Sequence, residues 1–214
     1  KMAIFKNSTF GNIRKSIGDD VAYRSGGQNI VRKKPAQVND ANSFAQRKQR
    51  NAMREVVNLF RAIGAQTKGS FPQRDAKHSA YNAFASKALK EAIVFTGDQA
   101  TIDLALLSVA KGTLPMPQVS AFADSGTGSA SVSFADLVDN VQLFPNDKLV
   151  ITKIGDEGSA PSAPVKFVLG SALPTSIAGF GSVSGEKVSI YAHYQSENGA
   201  KVSDSIFLGA IVTV

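Results

Sequence analysis

The apolar residues of this chain repeat with two different periods, and the switch near Phe95 limits the fold more than any other feature. Ahead of it, Ala52, Val56, Phe60 and Ile63 recur at helical spacing, with Met53 and Val57 beside them. Asp40, Asn42 and Ser43 are candidate caps for that helix, and Gly64 marks its expected end. A second helix is predicted over 75–92, burying Tyr81, Phe84, Ala85, Ala88 and Leu89 and leaving Lys77, Lys87 and Lys90 outside. Gly69 and Pro72 fall in the connection, so the pair reads as a helical hairpin.

Past Phe95 the spacing becomes two. Ile102, Leu104 and Leu106 alternate with Asp103 and Ala105, then Lys111-Gly112 and Pro115-x-Pro117 interrupt. Ala130, Val132 and Phe134 alternate with Ser129, Ser131 and Ser133, and Leu149, Ile151, Val165 and Phe167 continue the pattern. Val188, Ile190, Ala192 and Tyr194 alternate with Ser189, Tyr191 and His193, and Asn198-Gly199 turns toward a closing strand over 206–214. About seven short strands in roughly 100 residues, divided by frequent turn residues, predict an immunoglobulin- or fibronectin-like sandwich, with a jelly roll as the rival. At the other end of the chain, residues 11–18 read as a strand closed by Asp19-Asp20. Gly26-Gly27 then joins 21–24 to 28–32 in a tight hairpin that sets Tyr23 opposite Ile30 and Ala22 opposite Val31. In that register Arg24 and Arg32 lie on opposite faces, and Pro35 stops the strand. The expected architecture is therefore α+β. A basic hairpin and helical region occupies 1–95, a connecting strand and linker 96–117, and an all-β sandwich 118–214.

Charge divides along a similar line. Residues 1–92 hold 18 of the 24 Lys and Arg and 6 of the 17 Asp and Glu, a net of +12, whereas 93–214 carry a net of −5. Such asymmetry predicts a front half that meets a polyanion or an acidic partner. The candidate set is Arg14, Lys15, Arg24, Arg32, Lys33, Lys34, Arg47, Lys48 and Arg50. Arg47, Lys48, Arg50 and Arg54 have the wrong sign for the positive end of a helix dipole, which suggests that they serve another purpose, although a solvated face is the commoner explanation. Cations in register with phosphates add affinity without reading sequence, and no helix-turn-helix, zinc-finger or RNA-recognition signature is present. Tyr23 could stack on a base or pack on Ile30.

Several short phrases, each present once, are distinctive in their order along the chain. They are Gly11-Asn12, then 21–27 with Val31-Arg32 and a Pro, then Ala45-Gln46-Arg47, 79–84 and the closing 203–209. In that order and spacing the chain resembles an uncharacterised family of small proteins from Bacteroidota and associated mobile elements, a domain of unknown function. The resemblance implies a fold and no activity. It also implies a Trp in the first sandwich strand; the chain has no Trp, and Phe134 is the residue in position to replace it.

Catalytic and metal chemistry find little support. With no Cys there is neither a disulfide framework nor a thiolate site. Asp136, Asp139, Asp147, Asp156 and Glu157 lack the alternating spacing of a calcium loop. His78 and His193 fall in separate halves, no nucleophile elbow is present, and 181–185 is not followed by the Lys-Ser/Thr of a phosphate cradle. No enzyme activity, cofactor or small-molecule substrate is expected. Residues 1–7 do not lead into an apolar run of signal-peptide length, and no run approaches the roughly 20 apolar residues of a membrane span. The expectation is a non-enzymatic structural protein of a phage-like virion or mobile element, in the virion or the cytoplasm. It would self-associate and contact other structural subunits or non-specific nucleic acid. A DNA-associated accessory protein and a surface adhesion module are the alternatives.

Overall fold

The protein is described by a computed structural model covering residues 2–5, 15–37, 40–67, 69–72, 74, 78–126, 128–134, 143–155, 164–171, 173–178 and 185–212. The fold is α+β and divides into two units, 1–42 and 43–214.

The first unit is one antiparallel sheet. Its strands are β1 (Met2–Phe5), β2 (Lys15–Ile17), β3 (Asp20–Ser25) and β4 (Gln28–Lys33), in the order β1-β4-β3-β2. Gly26 and Gly27 take φ of 57° and 82°, the left-handed pair that a two-residue hairpin needs. The predicted register follows, Tyr23 opposite Ile30 and Ala22 opposite Val31. Ahead of the hairpin the prediction is corrected. Gly18-Asp19 form a turn and Asp20 begins a strand rather than closing one, because Ile17 pairs directly with Asp20. The first part of the predicted 11–18 strand lies outside the described residues. β1 pairs with β4 of its own chain, Ala3 opposite Val31.

The second unit begins with α1 (Phe44–Thr67), α2 (Ala80–Glu91) and the hairpin β5 (Ile93–Thr96) and β6 (Gln99–Ile102). Ser43 and Gln46 start α1 with a reciprocal box: the Gln46 amide donates to Ser43 Oγ at 3.3 Å, and the Ser43 amide to Gln46 Oε1 at 3.0 Å. α1 does not stop at Gly64. Thr67 is buried and extends the stripe of Ala52, Val56, Leu59 and Ile63, and that burial outweighs the roughly 1 kcal/mol a helical Gly costs. α2 starts later than predicted, where Ser79 Oγ accepts the Asn82 amide at 3.2 Å as N-cap. Phe60 of α1 meets Tyr81 edge-on at 5.1 Å and Phe84 at 5.4 Å, which closes the helical hairpin.

Strands β7 (Val119–Asp124), β8 (Ser129–Phe134), β9 (Lys148–Gly155), β10 (Val165–Val168), β11 (Ser176–Ala178), β12 (Lys187–Gln195) and β13 (Ile206–Val212) form two antiparallel sheets, ordered β10-β9-β12-β13 and β11-β8-β7. Leu149, Ile151, Val188, Ile190 and Ala192 share a core with Ala130, Val132 and Ile177 of the other sheet. On the opposite face of the same sheet, Ile154 and Tyr191 join Val56, Leu59 and Ile63 of α1 and Phe84, Ala85 and Ala88 of α2. Both faces of β9 and β12 are therefore buried. His193, predicted on a strand with one buried face, is only 1% exposed and lies on the same face as Tyr191, the face that meets the helices. The alternation predicted through Leu106 ends at Ile102. Asp103 instead makes a turn, its Oδ1 accepting the Ala105 amide at 2.9 Å, which places Leu104 to receive the Tyr191 hydroxyl at 2.6 Å.

Candidate anion-binding surfaces

The structure sorts the predicted basic set into three groups. Arg14 lies outside the described residues. In the first unit, Lys15, Arg24, Arg32, Lys33 and Lys34 are all exposed. Arg24 and Lys33 lie on the face of Ala22 and Val31, while Arg32 shares the other face with Tyr23 and sits 5.9 Å from its ring centre. Lys34 follows the last strand residue and ties the hairpin end to the preceding turn, Nζ donating to Gly18 O at 3.2 Å and its amide to Asp19 O at 2.8 Å. Lys15 enters β2 at φ 84°, the left-handed region that a lysine rarely occupies.

Arg47, Lys48 and Arg50 stand on the first turns of α1. Their wrong-sign charge has a local explanation that sequence reasoning missed, the β5–β6 hairpin. Arg47 Nε lies 3.1 Å from Asp98 Oδ2, Lys48 Nζ lies 4.0 Å above the Phe95 ring, and Asn51 Nδ2 donates to Asp98 O at 2.8 Å. Two of the three cations thus pin the hairpin to the helix, and Gly97-Asp98 at its turn was the signal that could have revealed it. Arg50 remains exposed on the same helix.

A further set of cations was not singled out from the sequence. Arg74, Lys87, Lys90 and Lys111 line one cleft beside α2. Lys87 and Lys90 are readable as one helix face, but Lys111 reaches them only through the tertiary fold.

The polar phrases bind the chain to itself. Ser205 Oγ accepts the Val109 amide at 2.9 Å and the Ala110 amide at 3.3 Å, and Asp204 Oδ1 accepts the Gly112 amide at 2.9 Å. This clamp draws 109–114 against the 202–205 segment so closely that a Cβ on Gly112 would fall inside the Val202 carbonyl. Asp147, a calcium candidate in the sequence, is buried and accepts the Phe144 and Glu197 amides at 3.0 Å each. Asp136, Asp139, Asp156 and Glu157 lie outside the described residues. Among the described residues no three His, Asp or Glu side chains converge on a metal-sized site, and no helix is long and apolar enough to cross a membrane. His78 is exposed and His193 buried.

Comparison with curated proteins and with solved structures found no match. A family model described as a family of unknown function, DUF6266, matches residues 11–209. That span takes in the paired hairpin, the capped helices and the 202–205 clamp, and on it the chain belongs to the DUF6266 family.

Proposed function

We propose that the protein is a non-enzymatic structural component of a phage-like virion or mobile element that self-associates and meets nucleic acid or acidic subunits through its basic front sheet. One observation carries this reading. Among the described residues, β1 is an edge strand with Ile4 61% exposed, in the same sheet that presents Arg24, Arg32 and Lys33. An open edge with an apolar side chain favours strand addition, and the cations beside it favour a polyanion. The Ser205 hydroxyl and the Asp204 carboxylate of the 202–205 clamp serve the fold itself, which suits a scaffold better than a catalyst. The two sheets that share the second core support a sandwich of immunoglobulin or fibronectin type, with the helices as an added layer.

The test is size-exclusion chromatography with light scattering at low and high salt, with and without mixed-sequence DNA. Large species at low salt, or oligomers promoted by DNA, are expected. The triple variant Arg32→Glu, Lys33→Glu, Lys34→Glu should weaken DNA-promoted assembly by about tenfold or more. A monomer indifferent to salt and to DNA would sink the proposal. A small species whose DNA affinity falls steeply with salt would instead identify an accessory DNA binder.

A further inference from the structure

The cleft beside α2 holds about 610 Å³ and combines three separate stretches of chain. One wall is a face of α2. Asn82, Ser86 and Lys90 form one row spaced by four, and Ala83, Lys87 and Glu91 form the row beside it. This face is opposite the one that buries Phe84, Ala85 and Ala88. Another part of the lining is 111–113, a segment that cannot shift freely. The Lys111 amide donates to Ser70 O at 3.0 Å, the Gly112 amide to Asp204 Oδ1, and the Leu114 amide to Val202 O at 2.9 Å. Arg74 closes one end. Its Nη1 donates to Phe71 O at 2.8 Å and its Nε to His78 O at 3.1 Å, which fixes the plane of the guanidinium, and buried Phe71 lies beneath.

The charge of this cleft is unbalanced. Among the described residues, four cations line it against one carboxylate, Glu91, which lies 3.9 Å from Lys87 Nζ. Lys90 joins the lining from α2 and Lys111 from the 111–113 segment, and both are exposed. Ser86, Asn82 and Thr113 add hydroxyl and amide groups to the lining. A concave site with cations from separate segments, neutral donors in its lining and a rigid frame suits an anion with several acceptor oxygens. The volume admits such a group together with the organic body that carries it.

We infer that this cleft binds the phosphate group of an organic phosphate, with Lys90 and Lys111 clamping its oxygens from their separate segments. The inference is independent of the front sheet, since none of its residues belongs to the first unit. The phosphate can come from a free mononucleotide or from the backbone of a single strand.

The full chain, isotopically labelled, is titrated separately with AMP and with a ten-residue oligothymidylate while backbone amide shifts are followed by NMR. Shifts centred on Ser86, Lys90, Gly112 and Thr113 are expected with at least one probe. AMP alone would identify a free mononucleotide, the oligonucleotide alone a strand backbone, and mutual competition the phosphate shared by both. The variant Lys90→Glu, Lys111→Glu should weaken binding by about tenfold or more, and the milder Lys111→Gln by about threefold, with unfolding midpoints close to the parent because both side chains are exposed. The front-sheet triple variant should leave these shifts in place, so failure of the assembly reading and failure of this one are separable. The inference is overturned if neither probe moves these amides, or if a folded Lys90→Glu, Lys111→Glu protein binds within twofold of the parent.

Discussion

His193 and Lys153 are ionisable groups placed where charge is costly. Each is 1% exposed. Burial, assisted by the nearby positive charge of Lys166, pulls the His193 pKa from 6.5 down to about 4. Burial alone lowers that of Lys153 from 10.5 to about 7. Among the described residues His193 Nδ1 has no hydrogen-bond partner, in keeping with a neutral ring. Both folded values lie below the unfolded ones, so the unfolded chain holds more protons and stability rises with pH. The His193 contribution is present above pH 6.5 and is lost as pH falls to about 4. That of Lys153 is lost between about 10.5 and about 7. At about 1.4 kcal/mol per unit, His193 accounts for about 3 kcal/mol. Urea unfolding followed from pH 4.5 to 9.5 should therefore show a midpoint that climbs along both limbs. His193→Leu should flatten the lower limb and Lys153→Met the upper one. A midpoint that falls between pH 7 and 9.5 would refute the assignment of Lys153. Neither residue could be read this way from sequence, where alternation with Ser189 and Tyr191 identified a strand but not what covers its second face.

The elements differ in how far local chemistry specifies them. The β3–β4 hairpin was legible to the register because Gly26-Gly27 supplies the backbone that a two-residue turn demands. α1 was legible in place and buried stripe but not in its end, since Gly64 is only a weak stop when Thr67 beyond it is buried. The β5–β6 hairpin was missed. Ile93, Val94 and Phe95 directly follow a helix, and their apolar run blends into it. That hairpin also accounts for Arg47 and Lys48, two residues placed in the basic set on charge alone. Replacing both by Ala should lower the unfolding free energy by about 1–2 kcal/mol, from a partly exposed ion pair and a cation–ring contact. Amide exchange should speed up selectively in 93–102. If stability is unchanged while nucleic-acid affinity drops, these cations serve a ligand and not the hairpin.

For the whole molecule, the decisive fact is that the helices share a unit and a core with the later strands, and the 1–42 sheet forms the other unit. Limited proteolysis with a broad-specificity protease should yield a resistant product that begins between Lys34 and Ser43, a stretch whose described residues are exposed. First cleavage near residue 95, with the helical region released from the strands, would contradict the shared core. The sequence by itself determined the mixed class, the two helices, the register of the Gly-Gly hairpin and the alternating strands. These depend on neighbours within a few residues, where backbone preference and side-chain period act directly. Only the tertiary structure decided which of the basic residues stand together, because Lys111 joins Lys87 and Lys90 in the lining of one cleft and Arg47 meets Asp98 across a helix–hairpin contact. It also decided that β9 and β12 are covered on both faces. Alternation shows that a strand has two unlike faces, but burying the polar one depends on a layer from elsewhere in the chain, here α1 and α2.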